Sequence, residues 1–208
     1  MQVTIFGATG SLGTQVVKEA LAKGYAVKAF SRNGDKLKSV PNAQLQIVQG
    51  NVLNLEEVKN AINGADAVLC CLGDGAKGKV RAAGTQNIVK AMESSGIKRL
   101  ICQTTLGLGD SWHNLNFFWK FVMFGFILQK AFNDHKLQES YIHESNLDFT
   151  LVRPSAFTNE PPTRNFKVGF DAHAKNLRLK ISRADVAYFM VEQLSTEMFI
   201  KKTISISN

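Results

Sequence analysis

The glycine-rich segment near the start of the chain constrains its fold more than any other sequence feature. It reads Gly7-Ala8-Thr9-Gly10-Ser11-Leu12-Gly13, directly after the apolar run Val3–Phe6, and it opens a helical pattern. Gly7 would permit a tight turn, Gly10 would let the backbone approach a pyrophosphate, and Gly13 would allow the helix to pack closely on the strand. The free amides and positive dipole at the helix N-terminus would hold the phosphates. We therefore predict a dinucleotide-binding loop that includes Thr9, Ser11 and Leu12.

Strand and helix patterns alternate along the rest of the chain. The predicted strands are Val3–Phe6, Ala26–Phe30, Leu45–Gln49, Ala67–Leu72, Arg99–Thr104, Phe149–Arg153 and Thr203–Ile206. The predicted helices are Leu12–Lys23, Leu55–Ile62, Lys79–Ser95, Phe132–Ser145 and Ala184–Leu194. Several strands are continuous apolar runs, which is typical of strands covered on both faces. The sequence thus predicts one α/β domain over residues 1–208, a Rossmann-type doubly wound, mainly parallel sheet flanked by helices.

The end of the second predicted strand bears on the choice of cofactor. An NAD-binding chain usually places Asp or Glu there to accept hydrogen bonds from the ribose hydroxyls. This chain has Ser31 and Arg32 instead, with no acid before Asp35. A carboxylate would repel a 2′-phosphate, whereas Arg32 can make two hydrogen bonds to it and Ser31 can donate another. NADP(H) is therefore predicted in preference to NAD(H); a solvated loop cation is the alternative for Arg32.

The ends of the other strands complete the predicted cofactor site. Asn51 would pair with the adenine edge while Val52 supplies an amide, although a simple turn asparagine is the alternative. The nicotinamide is expected across the carboxyl ends of the central strands. The remaining cofactor contacts are predicted at Leu72, Gly73, Thr104, Pro154, Ser155 and Ala156.

Charge and cysteine content narrow the class of partner and the compartment. The formal net charge is +8, but the basic residues are scattered and the longest basic run is Lys201-Lys202. An anionic small molecule is therefore favoured over nucleic acid, and a membrane partner is disfavoured. Cys70, Cys71 and Cys102 lie in apolar runs without metal-like spacing, which argues against disulfides and a metal site and fits a reducing cytosol. We expect a cytoplasmic protein because the N-terminus lacks a signal-peptide pattern. We expect it to be either a monomer or a homodimer.

Four further motifs give the chain a family resemblance. They are Gly84-Thr85-Gln86-Asn87-Ile88-Val89, Lys136-x-x-Glu139, Arg153-Pro154 and Ile181-Ser182-Arg183-Ala184-Asp185-Val186-Ala187. Together with the glycine loop, they resemble the atypical short-chain dehydrogenase/reductases. The resemblance is to the NAD(P)H-binding group that includes flavin/biliverdin reductases of the B type and NmrA-like proteins. It covers nearly the whole chain and implies an NAD(P)-binding Rossmann fold.

The chain departs from that superfamily at the proton-relay pair Tyr-x-x-x-Lys. The positions four residues after Tyr25, Tyr141 and Tyr188 hold Ala29, Ser145 and Glu192. A ketone reduction that needs a tyrosine acid is therefore disfavoured. Hydride transfer to a flavin, quinone or tetrapyrrole needs no protein nucleophile, so such a planar acceptor is expected. NmrA-like relatives imply the alternative of a non-catalytic NADP(H) sensor or interaction protein. The resemblance also places Ala156 where biliverdin reductases can carry histidine.

Two residues are candidates for the reaction itself. Thr105 would hydrogen-bond the acceptor, and Lys136 would lie near the nicotinamide ribose, on the same helical face as Glu139. The alternatives are a strand-end threonine and a surface ion pair. His135 and His143 are expected to be solvated, and Cys70 and Cys71 to belong to the strand core.

Residues 111–132 interrupt the alternation of strands and helices with an aromatic insertion. Phe117, Phe121, Phe124 and Leu128 recur at helical spacing, which predicts a helical lid with one apolar stripe over the acceptor pocket. Its base would lie at the carboxyl edge of the sheet. A dimer interface and membrane-surface docking are the alternatives. A transmembrane span is excluded because Lys120 interrupts the apolar run and Lys130 ends it.

Overall fold

A mainly parallel eight-stranded sheet organises the chain in the computed structural model, which describes residues 1–174 and 176–208. Its strand order is β3-β2-β1-β4-β5-β6-β10-β8, in which only β8 runs antiparallel to its neighbour. Strands β7 and β9 pair separately. The strands are β1 Gln2–Phe6, β2 Ala26–Ser31, β3 Leu45–Gln49, β4 Ala67–Cys70, β5 Arg99–Gln103, β6 Asp148–Pro154, β7 Ala156–Thr158, β8 Lys167–Val168, β9 Lys180–Ser182 and β10 Lys202–Ser207. The order of the first six strands is that of the Rossmann fold, so the predicted fold class is confirmed.

Five α-helices cover the two faces of this sheet in the described part of the chain. They are α1 Gly13–Ala22, α2 Leu55–Ile62, α3 Arg81–Ser95, α4 Gln129–His143 and α5 Arg183–Glu192. Alternation along β1 sends Val3 and Ile5 into the core beneath α1 and α5, and Phe6 into the core beneath α2, α3 and α4. The buried Thr4 also points to the second face, where its hydroxyl donates to the Ala61 carbonyl at 3.0 Å. Both cores are apolar, as expected for buried parallel strands.

The carboxyl ends of β1 and β4 form the crevice that positions the site. From β1 the strand order runs to β2 on one side and to β4 on the other, so the loops after these strands separate at this edge. Open α/β sheets bind their ligands at such a switch point. The glycine loop follows β1 here, and residues 71–75 follow β4.

The aromatic insertion forms two short helices rather than one regular helix. A 3₁₀ turn covers Gly109–Asn114, and a π-helical segment covers Phe118–Ile127 before α4 begins. The Leu128 amide donates to the Met123 carbonyl at 2.6 Å, the five-residue spacing of a π-helix. This wider winding changes which side chains share a face, so the predicted stripe is wrong. Phe124 is buried, but Phe117 and Phe121 are 73% and 60% exposed. No helix among the described residues is both long and apolar enough to cross a bilayer.

Candidate functional site

A cavity of about 870 Å³ opens at the carboxyl edge of the sheet. It runs from the loop after β2 to the aromatic insertion. Every predicted cofactor residue except Gly13 lines it, and so does Thr105. The lining residues from that prediction are Gly7, Thr9, Gly10, Ser11, Leu12, Ser31, Arg32, Asn51, Val52, Leu72, Gly73, Thr104, Pro154, Ser155 and Ala156.

The three loop glycines meet different constraints. Gly7 has a φ of +74°, and a Cβ there would overlap the Cys71 carbonyl. A Cβ on Gly13 would overlap the Gly7 carbonyl, so Gly13 serves helix packing outside the cavity. At Gly10 the nearest atom to a Cβ would be the Gly7 oxygen, 3.1 Å away. The fold therefore demands Gly7 and Gly13, whereas at Gly10 a Cβ would make one tight contact, with the Gly7 oxygen.

Arg183 brings a positive charge beside the glycine loop. Its Nε donates to Ser11 Oγ at 3.0 Å, and its Nη1 donates to Asn159 Oδ1 at 2.7 Å. The guanidinium also lies 5.0 Å from the Phe157 ring centroid. Sequence patterns identified Arg183 only as part of a family motif, because its contact with a loop 172 residues earlier depends on tertiary structure.

The loop after β2 forms a polar, cationic end of the cavity. Thr9, Ser31, Arg32 and Lys36 line it. The buried Ser31 Oγ has no hydrogen-bond partner among the described residues. The first acid after β2, Asp35, pairs with Lys38 at 2.7 Å, and that hydrogen bond holds the pKa of the Asp35 carboxyl below its usual value. This end therefore offers donors to an anion, with its nearest carboxylate engaged elsewhere.

Asn51 lies in the cavity wall as predicted, but its side chain is partly used by its own turn. Its Oδ1 accepts a hydrogen bond from the Leu53 amide at 3.1 Å, as the turn alternative expected. The backbone amide of Asn51 donates to Glu57 Oε2 at 2.6 Å. The side-chain NH₂ group is thus what Asn51 can offer to an adenine.

At the other end of the cavity, a buried ionic network fixes the ends of β5 and β6. Thr104 Oγ1 donates to Glu139 Oε1 at 2.6 Å, and Arg153 holds both oxygens of Glu139 through Nε at 2.9 Å and Nη2 at 2.6 Å. Arg153 Nη1 also donates to Asp110 at 2.8 Å. The proton of the Thr104 hydroxyl is therefore used within the network. Thr105 is half-buried in the cavity wall, and its hydroxyl lies 3.2 Å from the Leu106 carbonyl.

His135 lines the cavity and is buried, so the prediction that it is solvated is wrong. Its Nδ1 lies 2.9 Å from Gln138 Oε1, and the Gln138 amide donates to Thr85 Oγ1 at 2.9 Å and to Cys102 Sγ at 3.3 Å. With Gln138 oriented in this way, Nδ1 must carry the proton. Burial, with the nearby Arg81 charge, lowers the pKa of His135 to about 3, so the ring is neutral. His143 is exposed, as predicted.

Lys136 does not lie in the cavity, where its predicted position near the nicotinamide ribose would place it. It is exposed and does not line the cavity, while Glu139 is buried with Arg153 instead of facing Lys136. The buried face of α4 is largely polar, which hides it from a search for apolar periodicity. That face is Ala131, Asp134, His135, Gln138, Glu139 and Ile142.

A second buried cation borders the cavity beyond Gly73. Arg81 donates from Nη1 to Asp74 at 2.6 Å and from Nη2 to the Gly75 carbonyl at 3.0 Å. The Asp134 carboxylate accepts the backbone amides of Arg81 and Ala82, each at 3.0 Å, and so caps α3. Sequence patterns missed Arg81 because its contacts with Asp74, in the loop after β4, and with Asp134, on α4, depend on tertiary packing.

The three cysteines are free and buried in the strand core, as predicted for Cys70 and Cys71. Burial raises the pKa of the Cys71 thiol well above its usual value, so it stays a neutral thiol. No cluster of His, Cys, Asp or Glu among the described residues could hold a metal ion.

The aromatic insertion walls the cavity next to Thr105 with its inner side. Leu115, Trp119, Phe124 and Leu128 line the cavity, and the Phe124 ring lies 5.7 Å from that of Trp119. Of the predicted stripe, Phe124 and Leu128 face inward and Phe117 and Phe121 do not. This end of the cavity is therefore apolar and partly aromatic, in contrast with the cationic end near Arg32.

Comparisons with known proteins agree with this geometry. An NAD(P)H-binding family model matches residues 7–197. An uncharacterized chloroplastic protein of Arabidopsis thaliana is 32% identical over 219 residues, which cover 99% of this chain and 76% of the relative. The oxidoreductase ylbE from Lactococcus lactis has a TM-score of 0.84 at 25% identity, covering 100% of this chain and 91% of that one. ChuY of Escherichia coli O157:H7, described as an anaerobillin reductase, has a TM-score of 0.81 at 24% identity, covering 99% and 96%.

The chloroplastic relative leaves the cytoplasmic location of this chain a prediction. The family match rests on firmer ground, because the model spans most of the chain and begins at Gly7, the first glycine of the loop. The cavity, the glycine loop and the strand order agree with it. The chain belongs to the NAD(P)H-binding family and has a Rossmann fold.

Proposed function

We propose that this chain is an NADPH-dependent reductase that transfers hydride to a planar acceptor such as a flavin, a quinone or a tetrapyrrole. One observation carries the cofactor half of the proposal. No Asp or Glu lines the cavity among the described residues, whereas four cations do: Arg81, which is paired with Asp74, and Arg32, Lys36 and Arg183, which form no salt bridge in the described chain. A cleft lined by one sign of charge attracts a ligand of the opposite sign. A dinucleotide with three phosphate groups fits this distribution.

The preference for NADPH over NADH is supported at the end of β2. Arg32 and Lys36 lie there with Ser31, whose buried hydroxyl lacks a partner in the described chain. A 2′-phosphate would accept hydrogen bonds from these groups. NADH offers only a neutral 2′-hydroxyl there, which can accept one hydrogen bond but cannot pair with the charges of Arg32 and Lys36.

The acceptor end supports a flat, apolar substrate. Trp119 and Phe124 can stack on a ring system, and the apolar wall keeps water from the reacting atoms. When bound, NADPH supplies the hydride, and the acceptor gains one proton from solvent or from a donor in the site. The Thr105 hydroxyl would hydrogen-bond the acceptor, while the Thr104–Glu139–Arg153 network holds the strand ends still. The name of the ChuY structure supports the tetrapyrrole member of this class.

The test is NADPH oxidation by the purified protein, screened against flavins, quinones and tetrapyrroles, with NADH as the matched control. We expect turnover with at least one class and a clear preference for NADPH. Tight NADPH binding without turnover of any acceptor would instead favour the non-catalytic NADP(H) sensor, which the missing Tyr-x-x-x-Lys pair fits equally well. Equal rates with NADH would remove the assigned role of Arg32.

A further inference from the structure

The outer side of the aromatic insertion is a concentrated apolar surface. It consists of Phe117, Phe118, Phe121, Val122, Phe126 and Ile127, which we call the aromatic face. Phe126 is 85% exposed and Phe117 is 73% exposed. Among the described residues, the other exposed large apolar side chains are scattered: Met1, Leu53, Leu137, Val168 and Met198. Single exposed apolar residues need no explanation, but a cluster of this kind marks a contact surface.

The aromatic face belongs to the same segment that walls the cavity. Trp119 and Phe124 point inward to the cavity, while Phe117 and Phe121 pack together on the outside with ring centroids 4.8 Å apart. A helical segment with aromatic residues outside and its inner residues in the core does not need the outer ones for folding. Their clustering on the surface therefore indicates a contact with a partner outside this chain's own core.

The surroundings of the aromatic face carry positive charge. Lys130 follows it, and Lys77 and Lys79 adjoin Lys130, because Gly78 packs against the Lys130 carbonyl. All three lysines are exposed, and none pairs with a carboxylate among the described residues. The sequence holds no Asp or Glu between Asp110 and Asp134.

We propose that the aromatic face and these three lysines dock the protein on an anionic lipid bilayer. Exposed aromatic side chains enter the boundary between headgroups and acyl chains, and flanking lysines attract anionic headgroups. A symmetric dimer through this surface would bring the lysines of the two copies together, and each chain carries a formal net charge of +8. This repulsion between like charges disfavours such a dimer. The contact needs no spanning helix. It does not depend on which acceptor the cleft reduces.

Flotation of the full chain with lipid vesicles tests this proposal. We expect the protein to float with vesicles of phosphatidylcholine and phosphatidylserine, to float much less with phosphatidylcholine alone, and to be released by salt. The double variant Phe117→Ser/Phe126→Ser should lose binding. Lys77→Ala/Lys79→Ala should weaken it by about fivefold for each lysine removed. Met198→Ser, at another exposed apolar position, and Lys201→Ala/Lys202→Ala, at another lysine pair, are the matched controls and should bind like the unchanged protein.

NADPH titration shows whether the phenylalanine variant is folded, since its side chains lie outside the cofactor site. A protein that stays unbound with every vesicle composition would overturn the proposal. So would a phenylalanine variant that is folded and floats like the unchanged protein. Analytical sedimentation tests the alternative of a dimer. If the unchanged protein is a dimer that does not bind vesicles, and the phenylalanine variant is a monomer, the aromatic face would be a contact between copies.

Discussion

Because His135 is buried and neutral, the free energy of unfolding of this protein should decrease as the pH is lowered. Its Nδ1 donates to Gln138 Oε1 at 2.9 Å, and burial beside Arg81 lowers its pKa from 6.5 to about 3. The unfolded chain therefore binds a proton between these two values and the folded protein does not. Stability from this residue is fully present above pH 6.5 and is lost as the pH falls toward 3.

The size of the effect follows from the same two pKa values. A pH of 5 lies about 1.5 units below the ordinary histidine pKa, so the histidine of the unfolded chain is protonated there. Each of these pH units lowers the free energy of unfolding by about 1.4 kcal/mol. The penalty relative to pH 7 is therefore about 2 kcal/mol. The replacement His135→Asn removes the titration and keeps an N–H donor near Gln138. The loss of stability between pH 7 and pH 5 should be smaller in this variant by about 2 kcal/mol.

Urea unfolding followed by far-ultraviolet circular dichroism at both pH values measures this difference. The control is His143→Asn, because His143 is exposed at the end of the same helix. That variant should keep the pH dependence of the unchanged protein. Parallel pH profiles for the unchanged protein and His135→Asn would refute the assignment of a neutral buried imidazole.

Three further changes test the two ends of the cleft. Arg32→Ala should weaken NADPH by about 1.5–3 kcal/mol, the range for hydrogen bonds to charged groups, and leave NADH nearly unaffected in fluorescence titrations; equal losses would contradict this. Gly10→Val should abolish binding of both nucleotides in a protein that still folds, with a lower Tm because its Cβ would lie only 3.1 Å from the Gly7 oxygen; wild-type affinity would show that the loop holds no pyrophosphate. Trp119→Ala should raise the acceptor KM roughly 2- to 10-fold without changing NADPH affinity, whereas Phe126→Ala should leave KM unchanged; equal effects in steady-state kinetics would remove the stacking role.

Sequence patterns predicted the fold and the cofactor end of the site because both depend on short-range chemistry. The turn after β1 needs its glycines locally, and strands buried on both faces need continuous apolar runs. Strand β3 and helix α2 lie within the bounds predicted for them. The choice of Ser31-Arg32 at the end of β2 is equally local. These residues and their neighbours along the loop needed no knowledge of distant packing to be singled out.

Tertiary structure decided the aromatic end of the cavity, because its contacts join residues that are distant in sequence. Strands β7 and β9 are three residues each and exist by pairing with one another, so no pattern predicted them. The polar face of α4 is buried only because Arg153 and Thr85 offer partners to Glu139 and Gln138. Hydrophobic periodicity cannot detect a buried face whose polar groups are satisfied by another element. The sequence therefore determined which residues form the cationic end of the cavity, and packing determined that His135 rather than Lys136 lines it.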